Sequence, residues 1–412
     1  MKIVLFEDEN YANLLPLVYF RPVWELRCGA TLLIDKMMSH LGKDSLGLIA
    51  RSYLAEHYLD SDHIFSGNAA GEVLFLNGRV LMSGSAAEEL ANLNPARVLT
   101  KDNSVVAFRA SGKALGDYFK DGLLLPDRVL NDYTGLETEI RLIWYPWDLI
   151  DLNGSEISRE FSEENLIQRD ARRSDDGVFI LGKENVYISE NARIMPGVVI
   201  NAEDGPVWIE EGVKVMPNAV LEGPLYIGRN SLIKTGAKIY ENTSIGPVCK
   251  VGGEVEESIF QEYSNKQHDG FLGHSYLGSW INIGADTNNS DLKNNYGEIS
   301  AYLNGKPIET GRRFLGLIMG DHSKTAINTM FNTGTIVGTN CNVFGAGFPP
   351  KFIPSFSWGG SSGLREYNFD KAVEVAEVVM GRRNKEFTEK DLHLFKSVKE
   401  LAYKTEKRER VR

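Results

Sequence analysis

The stretch VWIEEGVKVMPNAVLEGPLYIGRNSLIKTGAKIYENTSIGPVCKV, residues 207–251, places an aliphatic side chain at every sixth position. The aliphatic positions are Ile209, Val215, Leu221, Ile227, Ile233, Ile239, Ile245 and Val251. A period of six matches neither the roughly 3.6 residues of an α-helical turn nor the two-residue alternation of a β-strand. It is typical of a parallel β-helix, in which short strands build flat walls and turns join them. The stretch therefore predicts a β-helix whose stacked coils bury one another's aliphatic side chains.

The same period continues on both sides of this stretch. Earlier positions are Ile188, Ile194 and Ile200, and later ones are Met319, Thr325, Phe331, Val337 and Val343. A second column, often of small residues, lies two positions before the aliphatic one. Its members are Val213, Ala219, Leu225, Ser231, Ala237, Thr243, Cys249, Ser323, Thr329, Thr335 and Cys341. Because both columns are expected to point inward, we predict that Cys249 and Cys341 are core residues.

Between about residues 253 and 318 the six-residue rhythm breaks and polar residues concentrate. Residues 286–316 form an inserted loop, and loops of this length inside a compact repeat are usually functional or disordered. Strand-like segments flank Asn304-Gly305, which is a strong hairpin signal. We therefore expect an ordered arm that reaches toward a neighbouring subunit.

The N-terminal part of the chain has a different pattern. The short apolar runs KIVLF, LGLIA and EVLFLNG are bounded by turn signals and alternate with helical stretches such as GATLLIDKMMSHLG. This pattern predicts an α/β, Rossmann-like domain over residues 1–175, followed by the β-helix at 176–365 and a helical tail at 366–412. A C-terminal helix closing the exposed edge of the prism is the simplest interpretation of the tail.

Composition excludes several classes of function. A net charge of −11 argues against general nucleic-acid binding. No apolar run approaches the roughly 20 residues that span a bilayer, and the start MKIVLFEDEN becomes acidic too early for a signal peptide. The three cysteines are odd in number and far apart, so they imply no disulfide framework. We expect a cytoplasmic protein that acts on small molecules, without nucleic-acid or membrane partners.

The polar segment SNKQHDGFLGHSYLGSWINIGADTNNSDLKNNYG, residues 264–297, resembles the acetyltransferase segment of the GlmU-like family, whose members make UDP-N-acetylglucosamine. The family pattern has a histidine, a Tyr-Leu-Gly or similar, then Asn-Ile-Gly-Ala and Asn-Tyr-Asp-Gly. Counting back without a gap from the INIGA run places His268 on the family's catalytic histidine. The resemblance therefore implies that His268 is the catalytic residue.

The same resemblance implies the residues that bind substrate. Phe271 falls where the family has a substrate-contacting tyrosine, and Asn282 falls on its substrate-binding asparagine. Asn295 and Tyr296 match the family's Asn-Tyr pair if a short insertion that includes SDLK is allowed. The family's phosphate-binding arginine and lysine have no counterpart here, so other basic residues must bind the phosphate. The candidates are Lys250, Lys266, Lys293, Arg312 and Arg313.

The resemblance also implies the hand of the helix, the acetyl donor and the assembly. Proteins of this kind are left-handed β-helices and typically homotrimers, with active sites between adjacent prisms. Their coils after the catalytic histidine hold acetyl-CoA, so Lys351 and Trp358 are candidates for its binding; a capping role for both is the alternative. The expected small-molecule partners are an amino-sugar phosphate and a nucleotide.

A histidine suits the chemistry of acetyl transfer. The attacking amine must lose a proton as the new bond forms, and an imidazole with a pKa near neutrality is a suitable general base, typically worth about 10²–10⁴-fold. His274 and His322 are rivals of His268, and the alternative for any of them is a structural hydrogen-bonding role. The three histidines together are also compatible with an inter-subunit zinc site, as in the γ-type carbonic anhydrases. The sequence assigns no metal ligand.

The segment LLPLVYFRPVWELRCGATLLIDKM near the N-terminus resembles the start of the sugar-phosphate nucleotidyltransferases, through its Arg21-Pro22 pair. The acidic segment FEDENYANL replaces the family's phosphate-gripping glycine loop, and Asn77-Gly78 stands where the family has Gly-Asp. Four residues are candidates for replacing the missing groups. They are Arg21, Arg27, Asn77 and Arg79. Mg²⁺ is expected as a cofactor if this domain is active, and a domain that has lost nucleotidyl transfer is the alternative.

These observations lead to three hypotheses. The first is an enzyme that transfers acetyl from acetyl-CoA to the amine of glucosamine-1-phosphate, or a related amino-sugar phosphate, coupled to uridylyl transfer from UTP that makes UDP-N-acetylglucosamine. The second retains a single activity, either acetyl transfer beside a vestigial N-terminal domain or sugar-1-phosphate nucleotidyl transfer, for example thymidylyl transfer. The third is a non-enzymatic trimeric scaffold that binds sugar nucleotides.

Overall fold

A six-stranded mixed sheet forms the N-terminal domain of the computed structural model, which describes residues 2–42, 46–57, 63–67, 71–111, 115–164 and 176–406. The strands described in this domain are β1 (Lys2–Phe6), β2 (Arg27–Cys28), β3 (Thr31–Leu32), β4 (Leu46–Ile49), β5 (Glu72–Asn77), β6 (Arg97–Lys101), β7 (Ser104–Ser111), β8 (Phe119–Lys120), β9 (Leu123–Leu124) and β10 (Thr134–Glu137). The sheet order is β10-β6-β7-β5-β1-β4, and β1 runs parallel to both of its neighbours. The apolar runs KIVLF, LGLIA and EVLFLNG are β1, β4 and β5, so these predicted strands are confirmed.

Helices cover the sheet and connect its strands. They are α1 (Leu33–Leu41), α2 (Ser52–His57), α3 (Gly84–Ala91), α4 (Leu115–Tyr118), α5 (Pro126–Asp132) and α6 (Pro146–Glu163), with 3₁₀ turns at Glu9–Leu14 and Val23–Glu25. The start of α6 illustrates why these residues form a helix. Pro146 occupies the first turn, where a missing N–H costs nothing, and Asp148 accepts hydrogen bonds from the backbone N–H groups of Trp144 and Tyr145. The predicted boundary at residue 175 adjoins residues 165–175, which lie outside the described residues.

Three walls of short parallel strands form the β-helix, and the chain visits walls A, B and C in turn. Wall A contains β11 (Phe179–Leu181), β14 (Val199–Asn201), β17 (Val220–Glu222), β20 (Lys238–Ile239), β23 (Glu254–Glu256) and β26 (Phe271–Gly273), followed by β28 (Asn288–Asn289) and β33 (Met330–Phe331). Wall B contains β12 (Val186–Ile188), β15 (Val207–Ile209), β18 (Leu225–Ile227), β21 (Thr243–Ile245), β24 (Ile259–Phe260), β27 (Tyr276–Leu277), β31 (Leu317–Met319), β34 (Thr335–Val337) and β36 (Phe352–Ile353). Wall C contains β13 (Arg193–Ile194), β16 (Lys214–Val215), β19 (Leu232–Ile233), β22 (Lys250–Val251), β25 (Asn265–Lys266), β32 (Lys324–Thr325), β35 (Asn342–Val343), β37 (Ser357–Gly360) and β38 (Gly363–Glu366). The predicted fold class, an α/β domain followed by a parallel β-helix and C-terminal helices, is confirmed.

The six-residue columns predicted from the sequence fill the interior of the prism. Ile209, Ile227 and Ile245 stack along wall B with no exposed surface, and Cys249 and Cys341 are equally buried. Each fully buried aliphatic side chain stabilises the folded protein by about 1.5–3 kcal/mol compared with the same side chain exposed to water. The corners use residues that tolerate positive φ, for example Gly212 (φ +70°) and Asn242 (φ +54°).

The break in the six-residue rhythm of the sequence after residue 253 does not interrupt the prism. The walls continue without a gap, because Val255, Phe260 and Leu272 take the inward positions of the next strands. The corners there are shorter: Ile245 pairs with Phe260 fifteen residues later, whereas Ile227 pairs with Ile245 eighteen residues later. Shortened corners move the inward residues out of the six-residue register, so the sequence pattern disappears although the walls remain.

The N-terminal domain packs against the outer face of wall B. The outward-pointing side chains of this wall are largely apolar and buried. They include Trp208, Tyr226, Ile259, Tyr276, Ile318 and Ile336. Polar contacts fix the docking, since Tyr276 Oη accepts a hydrogen bond from Arg27 N at 2.8 Å and Ser244 Oγ donates one to Gly29 O at 2.8 Å. Wall B is therefore an internal interface between the two domains.

A buried ion pair links the two domains a few coils further along the prism. Arg21 Nη2 lies 3.0 Å from Asp321 Oδ1 and also donates to Ser279 Oγ at 2.8 Å, and both charged side chains are less than 10% exposed. Burial raises the pKa of Asp321, while the Arg21 guanidinium opposes that shift. Because the site is buried, removing either residue would leave the other charge without a partner and without water to solvate it.

The inserted arm folds back onto its own chain. Its hairpin pairs β29 (Ser300–Leu303) with β30 (Lys306–Glu309) around the predicted Asn304-Gly305 turn. Asn304 Nδ2 donates to Ala12 O at 2.5 Å, and Arg312 forms ion pairs with α6. Its apolar residues complete the core under the N-terminal domain, and the expectation that the arm also reaches toward a neighbouring subunit stays a prediction.

Two helices rather than one form the C-terminal tail. They are α7 (Phe369–Gly381) and α8 (Glu389–Thr405), and residues 407–412 lie outside the described part of the chain. The antiparallel strand β38 lies at the edge of its sheet beside β37, so this strand covers the last coil of wall C, where the sequence predicted a helix. Helix α8 instead packs beside α2, and the carboxylate of Glu406 binds Ser355 and Tyr19. None of the helices in the described residues combines the length and apolar character that a bilayer crossing requires.

Replacing Arg21 by methionine tests the inter-domain ion pair. The change leaves the Asp321 carboxylate buried without its partner, so we expect the free energy of unfolding to fall by about 3–5 kcal/mol in urea denaturation at pH 7. The exposed Arg97→Met is the control, and adding Asp321→Leu to Arg21→Met should recover most of the loss. A loss below about 1 kcal/mol for Arg21→Met, typical of a surface pair, contradicts this account.

Candidate functional site

His268 lies at the corner between walls C and A and opens onto a cavity of about 460 Å³. The ring is exposed, because the corner residues 267–270 turn outward after Lys266, the last residue of β25. The cavity is lined by Lys234, Thr235, Gly253, Gln267, His268, Asp269, Ala285 and Asp286. An imidazole in this position is accessible to a small substrate and to a neighbouring molecule.

Asn282 lies on wall C, on the rim of a second cavity of about 380 Å³. Its backbone connects two strands of the wall, with bridges to Asn265 on one side and Lys324 on the other. The end of α7 forms the opposite side of the cavity. The lining residues are Lys250, Tyr263, Asn265, Gln267, Trp280, Ile281, Asn282, Lys324, Val379, Arg382 and Arg383. Gln267 lines both cavities, so the structure brings His268 and Asn282 to one continuous surface.

Positive charge concentrates in the Asn282 cavity. Burial lowers the pKa of Lys250, and the charges of Arg383, Lys234 and Arg382 lower it further. Burial alone lowers the pKa of Lys324 to about 8. In a protein with a net charge of −11, this cluster is a local site for an anionic ligand.

Several residues of this cavity were missed by the sequence analysis. Arg382 and Arg383 follow α7, about 100 residues after Asn282, so no local motif connects them to the site. Tyr263 and Trp280 stack with ring centroids 4.2 Å apart at the cavity edge. One signal was available in the sequence. Lys250 was already a candidate phosphate ligand, and it precedes Asn265 by one coil and Asn282 by two.

Lys266 lies inside the prism directly behind the His268 corner. Its register with Val251 puts it in the aliphatic column, and its Nζ donates to Gly252 O at 3.1 Å and to His268 O at 2.8 Å. Burial lowers the pKa of Lys266 to about 8, against the attraction of Asp269 and Asp286. Lys266 therefore cannot reach a phosphate, and it fixes the backbone that presents His268.

The other predicted substrate residues lie on wall A and the arm. Phe271 is on β26, where its N–H donates to Asn288 Oδ1 at 2.7 Å. Asn295 and Tyr296 are exposed in the arm, and Lys293 Nζ donates to Glu298 O. Within one chain the structure therefore does not bring these four residues to the cavities beside His268 and Asn282.

The two predicted acetyl-CoA residues are also apart. Burial lowers the pKa of Lys351, and the charge of nearby Lys293 adds to this effect, so Lys351 lies beside the arm. Trp358 is on wall C, in the same column of residues as Asn282, and its ring is 5.4 Å from that of Phe344. Trp358 thus shares the wall of the basic cavity, and Lys351 does not.

The four predicted nucleotidyl-site residues are all buried and bonded within the protein. Arg21 pairs with Asp321, and Arg27 lies 5.6 Å from the ring of Tyr226. Arg79 Nη2 is 2.7 Å from Asp8 Oδ2 and its guanidinium lies 4.6 Å from the Trp144 ring. Asn77 donates to the same Asp8 carboxylate at 2.9 Å. The role of these four residues as phosphate ligands stays a prediction, and their burial does not favour it, because their polar groups already bind other parts of the protein.

The acidic segment that replaces the glycine loop is part of the same buried network. Glu7 accepts hydrogen bonds from Arg51 and Val23 N, and Asp8 is paired with Arg79. A Mg²⁺ ion needs carboxylate oxygens that are free to bind it. The described residues around Asn77 do not fit such an ion, because their carboxylates are neutralised by arginines.

The rival histidines have different environments. His322 is buried among Phe20, Trp280 and Phe395, and burial holds its pKa well below the usual value. His274 is half-buried and its Nδ1 lies 2.8 Å from Asp291 Oδ2. Within the described residues, the group of three potential metal ligands that come close together contains His274 but neither His268 nor His322.

Comparison with known proteins confirms the resemblance that the sequence indicated. Residues 3–169 match the model of a family described as sugar nucleotidyl transferase. A bifunctional sugar-1-phosphate nucleotidylyltransferase/acetyltransferase of Sulfurisphaera tokodaii is 30% identical over 199 residues, covering 48% of this chain and 43% of the relative. A bifunctional protein GlmU of Methanocaldococcus jannaschii is 34% identical over 174 residues, covering 40% of this chain and 39% of the relative. The matches thus span about two fifths of the length of these relatives.

A solved structure is also similar to the chain. An Arabidopsis UDP-N-acetylglucosamine acyltransferase covers 51% of this chain and 78% of its own, with 13% identity and a TM-score of 0.25. A likeness this weak carries no argument about function.

Replacing Lys266 by methionine tests its position inside the prism. Between pH 8 and about 10.5, Lys266 is neutral in the folded protein but charged in the unfolded chain, so wild-type stability rises with pH through this window by up to about 1.4 kcal/mol per pH unit. Lys324, with a pKa also lowered to about 8, contributes a rise over the same window. In urea unfolding measured from pH 8 to 10, we therefore expect Lys266→Met to have a shallower rise than the wild type by up to about 1.4 kcal/mol per pH unit, while the exposed wall variant Lys214→Met keeps the wild-type slope. Parallel pH profiles for wild type and Lys266→Met contradict the assignment.

Proposed function

We propose that the β-helix transfers acetyl from acetyl-CoA to the amine of glucosamine-1-phosphate or a closely related amino-sugar phosphate. One observation supports this most directly. The exposed His268 and the basic cavity around Asn282 lie on one surface, because Gln267 lines both cavities, and this surface is on wall C rather than on wall B, which the N-terminal domain covers. The GlmU-like relatives support the same activity, since one of them is described as an acetyltransferase.

In the proposed reaction, His268 acts as the general base. The neutral amine of the sugar attacks the thioester carbonyl carbon, and the new C–N bond forms as His268 takes the proton that the nitrogen releases. Collapse of the tetrahedral intermediate then breaks the C–S bond, and the CoA sulfur leaves as a thiolate that is protonated by water or by the imidazolium. The backbone N–H groups of the glycine-rich corner are suitable donors for the oxyanion.

Lys250 and Arg383 are proposed to bind the sugar phosphate. Arg383 already donates to Asn265 Oδ1 at 2.9 Å, which holds its guanidinium over the cavity. Asn282 then orients the sugar between this phosphate site and His268. Charge-assisted hydrogen bonds of this kind are about twice as strong as neutral ones.

A homotrimer completes the proposed site. The two sets of predicted residues lie on different sides of one chain, with His268 and Asn282 at wall C and Phe271, Asn295 and Tyr296 at wall A and the arm. An assembly that sets wall A of one subunit beside wall C of the next brings the two sets together. We also propose a cytoplasmic location, which suits three buried cysteines that form no disulfide among the described residues.

Replacing His268 by alanine tests the general base. We expect kcat for acetyl transfer to glucosamine-1-phosphate to fall by about 10²–10⁴-fold, measured as release of the CoA thiol. The side chain is exposed, so the thermal midpoint should remain that of the wild type. His393→Ala, at an exposed histidine of α8, is the matched control. Activity of His268→Ala within a few-fold of wild type rules out this role.

Lys250→Ala and Arg383→Ala test the phosphate site. Each change removes a charged hydrogen-bond partner worth about 1.5–3 kcal/mol, so the KM for glucosamine-1-phosphate should rise about 10–100-fold with kcat little changed. Lys371→Ala, at an exposed position of α7, should leave both parameters unchanged. If only the KM for acetyl-CoA rises, the cavity binds the donor and the proposed phosphate site is wrong.

Nucleotidyl transfer by the N-terminal domain is the second candidate function. The match of residues 3–169 to the nucleotidyltransferase family favours it, and coupling to acetyl transfer would yield UDP-N-acetylglucosamine. The buried pairing of Arg21, Arg27, Asn77 and Arg79 favours a vestigial domain instead. Incubation with N-acetylglucosamine-1-phosphate, Mg²⁺ and either UTP or dTTP decides the question. Pyrophosphate release establishes the second activity, and its absence with both nucleotides leaves acetyl transfer alone.

A further inference from the structure

Three potential metal ligands meet at the corner between walls A and B, away from the cavities described above. Glu256 ends β23, His274 follows β26, and Asp291 follows β28, so the three residues come from successive coils. The Nδ1 atom of His274 lies 2.8 Å from Asp291 Oδ2. One ligand atom from each residue lies within 4.8 Å of the other two.

The surroundings of this cluster have an excess of negative charge. Burial raises the pKa of Glu256, and the charges of Asp291, Glu241 and Glu257 add to this effect. Burial disfavours the charged form of the His274 ring, yet the hydrogen bond and charge of Asp291 raise its pKa. The exposed fractions of the His274 and Asp291 side chains are only 17% and 13%, so water screens these charges poorly. A cation at this corner relieves the repulsion between the carboxylates.

Both ends of the inserted arm are attached at the same corner. Asp291 begins the arm, and its carbonyl oxygen accepts a hydrogen bond from Leu315 N at 2.9 Å. At the other end, Gly316 N donates to the carbonyl oxygen of His274 at 2.8 Å. The ring of Phe314 stacks on His274, with 4.8 Å between centroids and 21° between planes. A ligand that fixes His274 and Asp291 therefore also fixes the base of the arm.

We propose that Glu256, His274 and Asp291 bind one divalent transition-metal ion, of which Zn²⁺ is the best-suited common example. An imidazole with two carboxylates favours such ions over Mg²⁺ and Ca²⁺, which prefer oxygen ligands alone. Three protein ligands leave a fourth position of a tetrahedral ion for water. The ion fastens the arm to the prism, and it takes no part in the proposed acetyl transfer.

Zinc titration of the full chain tests this site. Chelator-treated wild type, incubated with ZnCl₂ and passed through a desalting column, is expected to retain one Zn²⁺ per chain by elemental analysis. Loss of a hydrogen-bond partner of a metal ligand already costs about 10–100-fold in affinity. His274→Gln and Asp291→Asn, each lacking a ligand, should therefore bind at least about tenfold more weakly in calorimetry. His393→Gln, on the surface of α8, should bind like the wild type.

A second measurement separates metal binding from a loss of folding. Trypsin cleavage after the exposed Arg313 in the arm should slow when Zn²⁺ is added to the wild type, and Zn²⁺ should have no such effect on Asp291→Asn. X-ray absorption of the zinc-loaded chain should show one imidazole and oxygen ligands at about 2.0–2.2 Å. Less than one tenth of an equivalent of retained zinc, or equal binding by wild type and His274→Gln, overturns the proposal. Neither result bears on acetyl transfer, which is measured without added metal.

Discussion

The stacking of inward aliphatic side chains along the prism is the constraint on which the rest of the structure depends. Each coil buries its own ladder only because the coils above and below supply the facing side chains, as with Ile209, Ile227 and Ile245 in wall B. Because the interior is filled in this way, every outward side chain is free to serve another purpose.

The outer faces of walls B and C differ in chemical character. Wall B is apolar and packs against the N-terminal domain. There Tyr276 Oη accepts a hydrogen bond from the backbone N–H of Arg27 and donates one to its carbonyl oxygen. Wall C carries basic and amide side chains beside α7, which together form the cavity around Asn282. Corners have a separate role, since the C–A corner presents His268 and the A–B corner gathers Glu256, His274 and Asp291. One folding principle thus supports several independent sites.

Sequence reasoning predicted the fold well where the interior repeats strictly, and poorly where it does not. Shortened corners after Val251 hid two coils, because a change of two or three residues in coil length destroys the six-residue register without disturbing the walls. The packing of the arm on its own chain was not predicted, for another reason. Its hairpin turn is local and readable, but the burial of Ala301 and Leu303 under the N-terminal domain is a long-range contact that no pattern encodes.

The candidate site was only partly readable for the same physical reason. His268 and Asn282 lie within one motif, so counting along the chain was sufficient to connect them. Arg383 reaches the cavity from a helix that starts more than 80 residues after Asn282, and only the folded chain shows it. Conversely, Arg21 and Arg79 looked like phosphate ligands because arginines often are, whereas here buried carboxylates neutralise both.

The most direct test of the central claim is a crystal structure of the chain with glucosamine-1-phosphate and a non-hydrolysable acetyl-CoA analogue. The account predicts the phosphate between Lys250 and Arg383, with the sugar nitrogen within about 3.2 Å of a His268 ring nitrogen or joined to it by one water. Ligand density that lies elsewhere on the prism, with His268 facing only solvent, would contradict it.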